Sequence, residues 1–212
     1  MDAVRVALLR EVLAGTEWLG ATRRFAGALR GSVVSYGGGL LLVGTPSYEP
    51  WHLAAHLVDE ATWSGTPELA PTLVRHDPRA SGPGQLSVGL GRIEAARRGE
   101  TLLVVAPEEV GGALLERVHD ARRGGAKVMV LGARSGPEPG SGSGSGEGEL
   151  VSMAHESLAV PDGLELDLDT VQHLVSAAAG ENAVPVGRGR RGFRDRLARL
   201  ADVLTAPPPT RW

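Results

Sequence analysis

The chain has 212 residues, of which 42% are hydrophobic and 22% charged, so its length and composition suit a single globular domain rather than a disordered segment. It contains no cysteine, which excludes a disulfide framework, thiolate metal sites and a cysteine nucleophile, and predicts a cytoplasmic location. With a formal charge of −3 and no apolar run near the roughly 18–20 residues of a membrane span, we expect neither nucleic acid nor a membrane as a partner.

The N-terminal part of the chain is predicted to be helical. Residues 2–31 place apolar side chains at intervals of three and four, which is typical of one or two amphipathic helices. A short apolar run at 40–43 follows three glycines, as expected of a strand that is buried on both faces of a parallel sheet. Pro50 suits the first turn of the next helix, which we predict over residues 50–63.

The same order of strand, loop and helix recurs along the chain. Apolar runs predict further strands at 72–74, 102–105, 128–131 and 157–160, and helical patterns occur at 90–98, 108–123, 150–154 and 167–179. Alternating strands and helices predict an α/β fold, in which a five-stranded parallel sheet carries helices on both faces in a flavodoxin-like three-layer arrangement. Ligands of such sheets bind beyond the carboxyl ends of the strands. The loops predicted at that edge are 44–50, 75–88, 106–109 and 132–149.

The domain organisation follows from the same pattern. Residues 1–180 are predicted to form the α/β domain, within which the Gly/Ser-rich segment 134–149 is a flexible loop. Residues 181–212 add a basic loop, an amphipathic helix over 193–204 and a proline-rich tail. The basic residues of this C-terminal part are Arg188, Arg190, Arg191, Arg194 and Arg196. They form a solvated helix start or contact a nucleotide, an acidic partner or another subunit.

Two segments carry a resemblance to a known family. GGGLLLVGTPSYEPWHLAAHLVDEA (37–61) resembles the first strand, loop and helix of phosphoheptose isomerases and other sugar isomerase (SIS) domains. GETLLVVAPEEVGGALLERVHDARRGGAKVMVLGA (99–133) resembles the central strand, loop, helix and strand of the same family. The resemblance covers roughly residues 1–180 and implies five parallel strands, with a phosphosugar held by hydroxyl-rich loops after the first and third strands.

The loops depart from that family pattern. The candidate ligand-binding residues are Gly44, Thr45, Ser47, Tyr48, Glu108 and Glu109. The first loop is shorter and poorer in glycine than the family's, and the second loop, 106–109, contains no hydroxyl. A phosphate would meet Glu49, Glu108 and Glu109 at two predicted helix starts, and repulsion at about 5 Å and a dielectric near 20 is roughly 3 kcal/mol per charge pair. We therefore expect no useful phosphate affinity unless Arg75, Arg92 or another cation compensates.

Two of these residues also have purely structural interpretations. Ser47 would cap the helix predicted at 50–63 through its hydroxyl. Glu108 and Glu109 would be ordinary first-turn residues of the helix predicted at 108–123.

The histidines supply the candidate catalytic and metal-binding groups. His52 and His56 are four residues apart on one helical face, and the resemblance places His52 at the family's helix histidine and His56 where the family has a catalytic glutamate. Such a pair can share a divalent metal if a third ligand is present, and His173 is the candidate. The alternative is that the pair is partly buried or lies at an interface. His76, His119 and His155 are expected in loops or on solvated faces and receive no role.

Three functions remain open at this point. The first is an SIS-like protein that binds a phosphosugar-type carbohydrate derivative without isomerase turnover and without a cofactor. The second is an active aldose–ketose isomerase in which a divalent metal assists at His52 and His56. The third is a regulatory or assembly module that acts through the C-terminal basic helix. The resemblance also implies a homodimer or homotetramer, for which the apolar stripe of residues 4–29 would supply the surface.

Overall fold

A computed structural model describes residues 17–78, 84–108, 110–132, 146–160 and 167–180. The helices are α1 (Glu17–Tyr36), α2 (Trp51–Ser64), α3 (Gly91–Glu94), α4 (Gly112–Arg123), α5 (Gly146–Met153) and α6 (Leu168–Gly180). The strands are β1 (Leu40–Val43), β2 (Pro71–Val74), β3 (Thr101–Val105), β4 (Lys127–Leu131) and β5 (Glu156–Leu158). Short 3₁₀ turns occur at Pro67–Leu69 and Gly84–Leu86. In the part of the chain described, no helix combines the length and the apolar character that crossing a membrane requires.

The five strands form one parallel sheet in the order β2-β1-β3-β4-β5, which confirms the predicted α/β class. Their apolar runs are buried because helices cover both faces of the sheet. On one face, side chains such as Leu42 and Leu103 pack with Phe25, Leu57 and Val175 of α1, α2 and α6. On the other face, the alternate strand residues pack against α3, α4 and α5. The result is three layers, with α2 and α6 side by side on one of them.

Four element predictions need correction. The helix predicted at 90–98 ends at Glu94. Helix α4 begins at Gly112 and not at residue 108. Helix α5 begins at Gly146, inside the segment 134–149 that was predicted to be a flexible loop, because Leu150 and Met153 are buried against the sheet. The last strand is Glu156–Leu158, so it ends two residues earlier than predicted.

The predicted oligomer surface also needs correction. Within α1, Phe25 and Leu29 of the apolar stripe are 2% and 0% exposed, because they belong to the protomer's own core. They are therefore unavailable as a contact surface. Residues 1–16, Glu109, most of the loop at 134–149 and the basic C-terminal segment lie outside the described residues.

Candidate functional site

The loop between β1 and α2 (residues 44–50) is a tight turn at the carboxyl edge of the sheet. The Tyr48 amide donates to the Thr45 carbonyl over 3.2 Å, and an isolated bridge joins the two residues. A side chain at Gly44 would overlap the carbonyl oxygen of Tyr48, so only glycine lets the chain turn this closely. The turn directs the Thr45 side chain inward, where the residue is 1% exposed.

The two aliphatic hydroxyls of this loop, those of Thr45 and Ser47, are engaged by the protein itself. Thr45 Oγ1 donates to Glu108 Oε1 over 2.9 Å, and Ser47 Oγ lies 3.2 Å from the same Thr45 oxygen. Helix α2 begins at Trp51 without a side-chain cap, so the predicted capping role of Ser47 is wrong. Glu108 lies in a bend before α4 and not in its first turn, and it links the loop after β3 to the loop after β1.

Glu49 is neutralised by an arginine from the neighbouring strand end. Its carboxylate accepts Arg75 Nε at 2.9 Å and Trp51 Nε1 at 2.6 Å. The hydrogen bond to Glu49 raises the pKa of Arg75 above its ordinary value. Arg75 therefore offsets the charge of Glu49, whereas Arg92 does not reach this loop because it pairs with Glu100. Among the described residues, no salt bridge includes Glu108.

Tyr48 ties the same loop to α6. Its hydroxyl donates to Asp169 Oδ1 over 3.3 Å and accepts from Gln172 Nε2 over 2.6 Å. Burial, reinforced by the neighbouring Asp169 carboxylate, raises the pKa of Tyr48, so the phenol stays protonated. The loop and the first two turns of α6 are thereby held in one arrangement.

Three imidazoles converge where α2 and α6 meet. The Nε2 atoms of His52 and His173 are 2.6 Å apart, and the ring centroids of His56 and His173 are separated by 3.9 Å. One ligand nitrogen from each of the three residues lies within 4.8 Å of the other two. The structure thus brings together the three histidines that the sequence proposed as a set.

The electrostatics at two members of this cluster, His56 and His173, favour neutral imidazoles. Burial, followed by the charges of His56 and His52, lowers the pKa of His173 to about 4. Burial, followed by His52, also lowers the pKa of His56. Near neutral pH these two rings therefore carry lone pairs that can accept a proton or bind a metal.

No protein family profile and no curated relative matches the chain. Solved structures do. The chain is similar to a proposed phosphosugar isomerase from Silicibacter pomeroyi DSS-3, with a TM-score of 0.53 and 15% identity over 94% of this chain and 52% of that one. It is also similar to a proposed sugar-binding protein from Salmonella typhimurium LT2, with a TM-score of 0.50, 14% identity and the same coverage of both chains. The chain has the SIS-domain fold.

A third similar structure is the sugar isomerase domain of an RpiR transcription factor from Sphaerobacter thermophilus, with a TM-score of 0.46 and 16% identity over 88% of this chain and 93% of that one. The chain spans about half the length of the Silicibacter and Salmonella structures. At these identities the similarity establishes the SIS fold and leaves the activity to be argued from the site.

The donor set of this chain's histidine cluster fits a transition metal. A tetrahedral zinc ion takes nitrogen ligands at about 2.0–2.1 Å, which places two ligand nitrogens about 3.3 Å apart. One nitrogen from each of His52, His56 and His173 lies within 4.8 Å of the other two, and the Nε2 atoms of His52 and His173 are 2.6 Å apart. The rings would therefore have to shift to reach that spacing. Since Nε2 of His52 and of His173 are at hydrogen-bonding distance, one of them must give up its proton before both could bind an ion.

Two of the remaining histidines have roles that the sequence did not indicate. His76 Nε2 lies 3.0 Å from the Gly44 carbonyl oxygen, and His155 Nδ1 accepts the Val128 amide at 3.0 Å. His119 is exposed, as predicted. His76 thus supports loop 44–50 from the segment that follows β2, and His155 supports the start of β4.

Sequence reasoning missed Gln172 and the grouping of Trp51 with Glu49 and Arg75. Gln172 is fully buried, and its contact with Tyr48 is what links it to the loop. Because the two residues are far apart in the sequence, no local pattern indicates this contact. The one available signal was the closeness in sequence of Trp51 to Glu49, because their contact is local. Arg75 was considered as a compensating cation, and the structure supplies its partner.

Proposed function

We propose that this protein binds a carbohydrate derivative of the phosphosugar type at the carboxyl edge of its sheet and does not isomerise it. Two observations support binding: the SIS fold, and the convergence of loop 44–50 with Arg75 and Glu108 at that edge. Carboxylates, hydroxyls and a guanidinium together offer the donors and acceptors that sugar hydroxyls require.

The absence of turnover is inferred from the state of the two carboxylates. An aldose–ketose isomerase needs a base that moves a proton between adjacent carbons. Glu49 accepts hydrogen bonds from Arg75 and Trp51, and Glu108 accepts one from Thr45. Each of these carboxylates is therefore oriented by donors of the protein itself and is not left free to face a substrate carbon. This engagement of both carboxylates is the observation that carries the proposal.

Glu108 also sets the preference between phosphorylated and plain sugars. No described cation offsets its charge. It also accepts the hydrogen bond from the Thr45 hydroxyl that a phosphate would otherwise accept. We therefore expect the sugar hydroxyls to make the main contacts, with phosphate tolerated at a cost.

Calorimetric titration and an isomerisation assay with matched aldose and ketose phosphates test this proposal. We expect binding without interconversion, and Glu108→Gln should tighten sugar-phosphate binding about tenfold relative to the unphosphorylated sugar, because one repulsive charge is removed. Glu116→Gln, at an exposed position on α4, is the matched control. Steady interconversion would contradict the proposal, as would a complete lack of binding across the panel.

The histidine cluster supports a second candidate, a metal-assisted aldose–ketose isomerase. His52, His56 and His173 would hold the ion. When bound, a divalent metal polarises a carbonyl oxygen as a Lewis acid. A histidine that gives its lone pair to a metal is no longer a base, so under this hypothesis the proton would have to be moved by a group outside the cluster.

Thermal unfolding with Zn²⁺ or Ni²⁺ tests the second candidate. A metal-dependent rise in melting temperature that is lost in His52→Ala and kept in His119→Ala would support it through the linkage between binding and stability. No shift with either ion would exclude it. His119 is a suitable control because it is exposed and lies on α4, away from the cluster.

A regulatory or assembly module remains the third candidate, and it rests on the basic segment around Arg190, outside the described residues. Lack of any small ligand in the titrations would favour it. We further propose a homodimer or homotetramer, with a small-molecule ligand as the main partner. The absence of cysteine from the sequence supports a cytoplasmic location for the protein.

A further inference from the structure

Trp51 is an exposed aromatic residue that the protein holds in a defined orientation. Although it is the first residue of α2, it is 44% exposed. Its Nε1 donates to Glu49 Oε2 over 2.6 Å, and Arg75 Cζ lies 5.3 Å from its ring centroid. The same arginine donates to Glu49, so the three side chains fix one another. The two polar neighbours give the exposed indole of Trp51 a fixed orientation.

Trp63, on the same helix, shows the difference. It is 67% exposed, and the structure gives it no hydrogen bond or cation contact to any described residue. Twelve residues of helix place it about 18 Å from Trp51 along the axis. Both tryptophans are therefore exposed on the same helix. Only Trp51 is held by polar neighbours, and the two lie far apart along the helix.

The groups around Trp51 match the surface of a sugar ring. A pyranose presents C–H groups on its face and hydroxyls around its edge, and an indole offers an apolar face with the negative side of its quadrupole toward such hydrogens. Glu49 supplies an acceptor. Arg75 uses its Nε for Glu49, and its four Nη hydrogens make no hydrogen bond to a described residue. Because the ion pair is neutral overall, it suits hydroxyls, which are uncharged donors and acceptors.

We propose that Trp51, Glu49 and Arg75 form a subsite for the closed ring of an uncharged pyranose unit, which stacks on the accessible indole surface with its edge hydroxyls on the ion pair. The inference rests on the proposed function and narrows its ligand class. It also accounts for binding without isomerisation, because a closed ring has no free carbonyl and an isomerase must act on the open chain.

Methyl glycosides and alditols test the proposal, because a methyl glycoside is locked as a ring and an alditol carries similar hydroxyls on an open chain. The probes are methyl β-D-glucopyranoside and methyl β-D-galactopyranoside against D-glucitol and galactitol, with binding measured by calorimetry and by the NMR shift of the Trp51 indole N–H. We expect the glycosides to bind at least about tenfold tighter than the alditols, since only the ring offers a continuous apolar face.

Three variants locate the effect. Trp51→Ala should weaken glycoside binding at least about tenfold, and Trp51→Phe should keep it within about threefold because an aromatic face remains. Trp63→Ala is the matched control and should change nothing. Because Trp51 is exposed, its substitution should change the stability of the fold little. Melting temperatures close to that of the wild type would show that the variants are folded.

The outcomes separate the subsite from the function on which it rests. Alditols that bind as tightly as glycosides, or a Trp51→Ala protein that binds sugars unchanged, would overturn the subsite and leave carbohydrate binding standing. If neither the glycosides nor any sugar phosphate binds the wild-type protein, both the proposed carbohydrate binding and the subsite are wrong.

Discussion

At the scale of single residues, the surroundings of His173 lower the pKa of its imidazole. Its imidazole lies between α2 and α6 with two other imidazoles beside it, and its pKa is lowered to about 4 mainly by burial. Nearby Asp169 and Asp167 act in the opposite direction, but they are the weaker influence. Protonation of His173 therefore opposes the native packing of the two helices.

We predict that the metal-free protein loses stability as the pH falls from about 6.5 to about 4. In this window an unfolded histidine, with an ordinary pKa near 6.5, binds a proton that the folded His173 does not, so the free energy of unfolding declines with falling pH. The lowered pKa of His56 acts in the same direction. Below about pH 4 the contribution of His173 should level off.

Urea unfolding at a series of pH values measures this slope. His173→Gln should flatten it between pH 6.5 and 4, because the variant has no imidazole to titrate at that position. His119→Gln, at an exposed site on α4, should keep the wild-type slope. Equal slopes in wild type and His173→Gln would show that His173 is not held neutral by its surroundings.

At the scale of elements, the site depends on the attachment of loop 44–50 to α6. Tyr48 makes this attachment through Asp169 and Gln172. Gln172 is fully buried, and among the described residues its Oε1 has no hydrogen-bond partner. The Tyr48 hydroxyl accepts the hydrogen bond that its Nε2 donates. Removing the phenol oxygen would leave a buried amide donor unsatisfied.

We predict that Tyr48→Phe lowers the free energy of unfolding by about 1–3 kcal/mol, which is the usual cost of a buried polar group left without its partner. Amide hydrogen exchange of residues 45–50 should accelerate more than that of β3, because the loop loses its tie to α6 while the central strand keeps both neighbours. Ser152→Ala, which removes only a local bond on α5, is the control. Unchanged loop exchange in Tyr48→Phe would mean that the loop is held by its own turn.

The elements also show how far the sequence leads. The apolar runs at β1, β3 and β4 predicted strands correctly because burial on both faces leaves a continuous local pattern. The start of α4 was misplaced because Glu108, a good helix former, is held by Thr45 of a different loop. The start of α5 was missed because packing of Leu150 against the sheet outweighs the weak helix propensity of its glycines.

The site itself was predictable only in part. His52 and His56 share a helical face by spacing alone, so their pairing could be read from the sequence. The contact with His173 depends on α6 packing beside α2, which the resemblance allowed but local patterns do not encode. The pairing of Glu49 with Arg75 depends on β1 and β2 being neighbours with matched carboxyl ends.

At the scale of the whole molecule, the question is which surface remains for association. Helix α1 packs its apolar residues inward, where Phe25 and Leu29 meet the sheet and α6. Large apolar side chains that stay exposed in the described part are Val34, Val58, Trp51 and Trp63. Association through the inner stripe of α1 would require the protomer to open its own core.

We therefore predict that Phe25→Ala acts on folding and not on assembly. Truncating a buried phenylalanine that is 2% exposed should cost about 3–5 kcal/mol in the free energy of unfolding. Light scattering at temperatures where the variant is folded should give the same mass as wild type, which we expect to be two or four times the 22.1 kDa of the chain. Ala28→Ser, a half-buried neighbour on α1, is a milder control that should change neither quantity much. A Phe25→Ala protein with wild-type stability but the mass of one chain would place the inner face of α1 in an interface between subunits, and the sheet would then need cover from a partner on that side.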